Sequence, residues 1–137
     1  GKLFVLGKSG ERFAVRNSGA TAVTEGSGDH CCEYMTGGKI VILGTTGRNI
    51  GAGMTGGIAY ILDETDDLEN KVNKEIVSIY KITNLKQEEI LLEILNEYYE
   101  KTKSFKASKI IKNWANFKEI FKIVVPPSEE EMLGINV

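Results

Sequence analysis

The chain has 137 residues, 42% of them hydrophobic and 26% charged, with a formal net charge of -2. That length suits one domain with a modest core and is short for a complete multi-substrate enzyme. The near-neutral balance argues against general nucleic-acid binding, which needs basic residues against phosphates. No apolar run approaches the ~20 residues that span a bilayer.

The N-terminal stretch GKLFVLGKSGERF has neither the apolar core nor the small-residue cleavage site of a signal peptide. It opens on Gly1 rather than Met, which gives the expectation of a processed or excised segment. Short β-rich runs follow at 13–15, 20–24, 40–43 and 58–62, and after Gly57 only Gly134 remains of the glycines. No helical period runs through this half, and each glycine would cost a helix ~1 kcal/mol.

An internal repeat organises the region. Asn-Ser-Gly-Ala-Thr-Ala-Val, Thr-Gly-Gly-Lys-Ile-Val-Ile and Thr-Gly-Gly-Ile-Ala-Tyr-Ile bring Gly19, Gly38 and Gly57 into register nineteen residues apart. Gly28 and Gly47 share that spacing, as do Met35 and Met54, and Val23, Ile42 and Ile61. A fixed period near 20 residues marks a solenoid, whose repeats bury their apolar faces only by stacking. Coils then lie ~4.8 Å apart, so a bulky corner residue would meet its own copy, and glycine also reaches the positive φ of tight corners. The expected fold is mainly β, a parallel β-helix of period 19 followed by a helical segment. Thr21, Val23, Ile40, Ile42, Ala59 and Ile61 should point inward, because the opposite alternation would bury Lys39.

Beyond the glycine region, 63–74 is acidic and polar, and 76–82 forms one more strand in this reading. Asn84 with Gln87 resembles a capping box, and Ile90, Leu91, Ile94, Leu95 and Tyr98 recur at helical spacing. Ser104 caps a second helix carrying Ala107, Ile110, Ile111 and Trp114, and Asn116 with Glu119 opens a third turn holding Ile120 and Phe121. Pro126 and Pro127 end it. The division is therefore coils at 1–82, then helices and tail at 83–137, with the acidic run 129–131 a solvated tail.

Several chemical motifs have simpler structural explanations. Gly51-Ala-Gly53-Met-Thr-Gly56 matches a dinucleotide fingerprint literally, but strand-like residues follow it where a helix should receive the pyrophosphate. The segment from Gly44 to Asn49 lacks the Lys-Ser/Thr pair of a P-loop. His30, Asp29 and Ser27 are near neighbours on one turn, which seldom converge as a triad. Arg16 and Arg48 lie out of repeat register and serve as well in surface pairs as in an anion clamp. Adjacent Cys31 and Cys32 cannot join without strain, and they read as buried thiols of a reducing compartment. Tyr98, Tyr99, Phe117 and Phe121 sit at packing intervals.

The stretch 13–64, with its EYMTGG and GAGMTGG signatures, closely resembles the C-terminal GXGXG domain of glutamate synthase large subunits. Thr102, Ser104 and Ala107, then Ile110, Ile111, Trp114, Phe121 and Pro126, resemble that family's terminal helices, so the likeness covers 10–127. It implies a right-handed β-helix with no catalytic residue, cofactor or metal of its own, packed against the amidotransferase, central and FMN-binding synthase domains. The parent enzyme would make glutamate from glutamine and 2-oxoglutarate, using FMN, an iron–sulfur cluster and either NAD(P)H or ferredoxin. The likeness also implies missing N-terminal coils and an exposed solenoid end prone to self-association, while the charge balance and the lack of a long apolar run give the expectation of no nucleic acid and no membrane as partner. Cytoplasm and plastid both fit as its compartment. Two other readings stand beside this one: a free-standing β-helix subunit resembling that of formylmethanofuran dehydrogenase, and, far behind, a small nucleotide-binding enzyme.

Overall fold

A computed structural model describes residues 1–11 and 13–130. The repeat lays strands side by side: β1 (Lys2–Phe4), β2 (Thr21–Thr24), β3 (Thr36–Ile42) and β4 (Gly56–Leu62). Each pairs in parallel with the next in sequence order, the pattern of a β-solenoid. The fifth strand, β5 (Ser78–Lys81), falls inside the expected 76–82. Three helices follow: α1 (Leu85–Thr102), α2 (Phe105–Lys112) and the short α3 (Trp114–Phe117). The acidic run reaches Glu131, which lies outside the described residues, while Glu130 accepts a hydrogen bond from Ser78 Oγ at 2.8 Å.

Strand register corrects the repeat alignment in one place. Lys2 pairs with Thr21 and Lys39 with Ile58, each nineteen residues on, but Thr21 pairs with Lys39 and Thr24 with Ile42, eighteen on. Because a strand's side chains alternate, a one-residue slip exchanges its faces. Ile40, Ile42, Ala59 and Ile61 enter the solenoid interior as expected, beside Cys31, Cys32, Met35 and Met54. In β2, however, Ala22 joins that cluster, and Val23 turns to the opposite face with Val41, Ile58 and Tyr60. The corners carry an irregularity of their own. Thr36 and Gly37 both donate to the Asn17 carbonyl, at 2.8 and 3.2 Å, and Thr55 and Gly56 both donate to that of Met35, at 2.9 and 3.3 Å. Between β3 and β4 one residue is taken up there, from Thr36 opposite Gly56 to Lys39 opposite Ile58, after which strand and glycine register agree at nineteen; between β2 and β3 they differ by one.

Glycine supplies only part of the corner geometry. Positive φ recurs at alternate residues: Ala14 and Arg16, then His30, Cys32 and Tyr34, then Asn49, Gly51 and Gly53. A non-glycine residue held there costs roughly 1–2 kcal/mol. Bonds between coils hold it in place, including Cys32 N to Phe13 O, Tyr34 N to Ala52 O and Gly51 N to Cys31 O, all at 2.8 Å. Phe13 and Val15, expected in a strand, belong to this turn.

The helical layer covers the second face of the sheet. Asn84 Oδ1 accepts from Gln87 N at 2.8 Å and starts α1; Ser104 Oγ accepts from Ala107 N at 3.1 Å and starts α2. Leu91, Leu95, Tyr98, Ala107 and Ile110 then pack on Val23, Val41 and Tyr60. The expected third helical turn ends early, and Phe121 opens a strand instead, β6 (Phe121–Val125). Its Phe-Lys-Ile-Val-Val sequence is aromatic and β-branched, suited to a pleated surface. Strand β6 runs antiparallel between β4 and β5, giving the sheet order β1-β2-β3-β4-β6-β5. Ile79 of β5 and Ala59 of β4 flank the same residue, Val124. A returning strand therefore occupies the slot where a further coil would have stacked.

Candidate functional site

The singled-out residues do not gather into one catalytic constellation. Asp29 Oδ1 accepts from Arg48 N at 2.7 Å, whereas His30 Nδ1 lies 2.7 Å from Glu33 Oε2. Asp29 and His30 thus face different residues, and Ser27 Oγ has no hydrogen-bond partner among the described residues. Arg16 lies over the Tyr34 ring, 5.7 Å from its centroid. Cys31 and Cys32 are free and fully buried with their sulfurs 3.4 Å apart. The hydrogen bond shared with Cys31, followed by burial, pushes the Cys32 thiol well above its ordinary value. Among the described residues, no group of three or more His, Cys, Asp or Glu is placed to hold a metal ion.

The G-x-G-x-x-G run is a coil corner. Gly51 and Gly53 have φ of 72° and 67°, Met54 inserts into the interior, and Gly56 begins β4. Of the aligned glycines, Gly38 and Gly57 have φ of 91° and 89° and sit where any side chain would collide. A Cβ on Gly38 would strike Asn17 and the Ala20 carbonyl, and one on Gly57 would strike Met35. Gly47 is blocked by Asp29, and a Cβ on Gly28 would stand 3.0 Å from the Glu11 side chain. Gly19 has open space around it. Met35 and Met54 are both buried in the interior cluster.

The most elaborate polar cluster joins helices to solenoid. Tyr98 OH donates to the Val5 carbonyl at 2.6 Å and lies 3.2 Å from Glu25 Oε2, an oxygen that also accepts from Ser104 Oγ. Thr102 Oγ1 bonds back to Tyr98 O at 2.7 Å, Lys103 takes a left-handed φ of 56°, and Ser104 caps α2. The Thr-x-Ser-x-x-Ala pattern is therefore an elbow between two helices, clamped onto the first corner by Glu25. The pattern was readable in the sequence. Its carboxylate partner was not, since no local spacing relates Glu25 to Ser104. A second tie, Tyr60 OH to Gln87 Oε1 at 2.7 Å, is buried between β4 and α1.

Both tyrosines should resist ionisation. Burial raises the Tyr60 phenol, while burial followed by the nearby Glu25 charge raises that of Tyr98. In the unfolded chain each ionises near pH ~10. The stability they support is therefore complete below that pH and is lost as pH rises beyond it. In an alkaline absorbance titration, two of the 5 tyrosines should ionise only as the circular dichroism of the fold disappears.

Glycine-cornered parallel rungs, one helical layer and a returning strand define a β-solenoid domain. The model of the GXGXG motif family matches residues 1–127, and the chain belongs to that family. It is 58% identical over 131 residues to the chloroplastic ferredoxin-dependent glutamate synthase of Spinacia oleracea, a match covering 96% of this chain and 8% of that protein. To the ferredoxin-dependent glutamate synthase of Antithamnion sp. it is 58% identical over 130 residues, covering 95% and 8%. To ferredoxin-dependent glutamate synthase 2 of Synechocystis sp. it is 54% identical over 131 residues, covering 96% and 8%. The chain thus spans a small segment of the relatives it matches.

Proposed function

We propose that the chain is a non-catalytic scaffold domain of a glutamate synthase. The observation that carries this is the match of 96% of the chain, at 58% identity, to 8% of such an enzyme. The parent polypeptide transfers glutamine-derived ammonia to 2-oxoglutarate to make glutamate, using FMN and an iron–sulfur cluster. Ferredoxin is the reductant this reading favours over NAD(P)H, because the relatives named above are ferredoxin-dependent. Its partners are the amidotransferase, central and FMN-binding synthase domains of the same polypeptide.

The physics of the fold supports a packing role. Both faces of the sheet are buried, one inside the solenoid and one under the helices. Among the described residues strand β1 pairs on one side only, and Leu3 and Leu6 beside it are 55% and 62% exposed. That edge is where other segments of the polypeptide pack, and where isolated chains would self-associate. An immunoblot of source-cell lysate with an antibody to this chain tests the reading. The expected band is about twelve times heavier than 15.1 kDa, the size of a multidomain polypeptide. A band at 15.1 kDa would overturn it and favour a free-standing subunit of another redox enzyme.

A further inference from the structure

One feature of the corner surface fits a particular partner chemistry. Arg16, Tyr34 and Gly53 occupy equivalent places in successive coils, with φ of 59°, 57° and 67°. Arg16 N bonds to Glu33 O and Tyr34 N to Ala52 O, both at 2.8 Å, so the backbone under both side chains is fixed. The missing side chain at Gly53 lets the Tyr34 ring lie against the third corner; a Cβ there would stand 2.5 Å from Tyr34 Cδ1. The Arg16 guanidinium lies over this ring, 5.7 Å from its centroid. Together with Thr36 and Thr55 they line a notch of about 380 Å³.

The guanidinium is left available. Among the described residues no carboxylate forms an ion pair with Arg16; Glu33, next to Tyr34, has its Oε2 2.7 Å from His30 Nδ1 instead. A guanidinium drawn over a ring face can still offer N–H donors to a carboxylate. Thr36 and Thr55 also line the notch, and a threonine hydroxyl can donate a hydrogen bond. The notch is open, with Tyr34 52% exposed. An open notch receives a projecting side chain better than it encloses a small ligand, which needs most of its surface covered. Exposed Tyr and Arg placed together are also the residue types that dominate protein interfaces.

We propose that this notch receives an Asp or Glu side chain from another domain of the larger polypeptide. The proposal rests on the scaffold reading above. The test uses the complete polypeptide carrying Tyr34→p-benzoylphenylalanine, with a second version carrying the photo-crosslinker in place of Leu3. Light should join position 34 to a segment containing Asp or Glu. Adding Arg16→Gly, which suits the left-handed backbone and removes the charge, should lower that yield about tenfold or more, on the scale of losing an interface anchor. Adding Arg16→Lys should restore part of it. Crosslinking from position 3 but not from 34 would overturn the notch and leave the scaffold reading intact. A crosslink from 34 unaffected by Arg16→Gly would equally overturn recognition through charge. If neither position crosslinks to another domain, the scaffold reading fails and the proposal falls with it.

Discussion

Gly38→Val should abolish most of the fold's stability, while Gly19→Ala should leave it nearly unchanged. The repeat alignment makes these glycines equivalent, but the structure separates them. At Gly38 φ is 91°, and a Cβ would collide with the Asn17 side chain and the Ala20 carbonyl. Asn17 cannot simply move aside, because its Nδ2 donates to Ala20 O at 3.0 Å and Gly37 O at 2.8 Å. The carbonyl is likewise fixed, accepting from Lys39 N at 3.2 Å. Valine there combines a forbidden backbone with overpacking against main chain, a loss of about 3–5 kcal/mol or more. Small domains are stable by only ~5–15 kcal/mol. Calorimetry should show a midpoint lowered by more than about 10 °C, or no cooperative transition. Nothing lies within 4 Å of a Cβ on Gly19, so alanine there should cost no more than about 0.5 kcal/mol. Equal melting of the two variants would contradict the corner geometry.

That contrast shows what the sequence can transmit. A period of nineteen is visible because stacked corners and stacked core positions tolerate few residue types, and it locates β3 and β4 well. It does not reveal that β2 is one residue out of phase. Its Ala-Thr-Ala-Val-Thr surroundings carry small or ambivalent side chains that suit either face. Thr24 is buried because its hydroxyl finds Gly26 O at 2.9 Å and Gly7 O at 3.2 Å, partners set only by the folded coil. Left-handed backbone at Arg16, His30 and Tyr34 is equally hidden, since their composition gives no warning of it. The helix caps at Asn84 and Ser104 were legible because capping is local. Glu25, which grips the elbow from the first corner, was not. Strand β6 was misread as helix because Phe-Lys-Ile-Val-Val follows three helical segments, and only tertiary pairing distinguishes the states.

The misread strand bears on the second large effect. Among the described residues of the sheet, β5 pairs only with β6, since the order runs β4-β6-β5. Phe121 anchors β6 on the helical side: it is fully buried, and its ring centroid lies 5.7 Å from that of Trp114. Val124, on the other side, reaches the solenoid interior. Phe121→Ala should cost about 3–5 kcal/mol, from lost burial and the cavity left behind. The loss should not be evenly shared. β1 to β3 keep their parallel partners and glycine corners, whereas β5 loses support from β6, its neighbour in the sheet. In native-state hydrogen exchange, amides of Ser78–Lys81 should open before those of β2 and β3, as a separate low-stability unit. Simultaneous loss of protection across all strands would mean that the returning strand and the coils form one cooperative unit. Early opening confined to β5 would instead identify β6 as the closure that ends the solenoid, one strand inserted backwards where a parallel rung would have continued the stack.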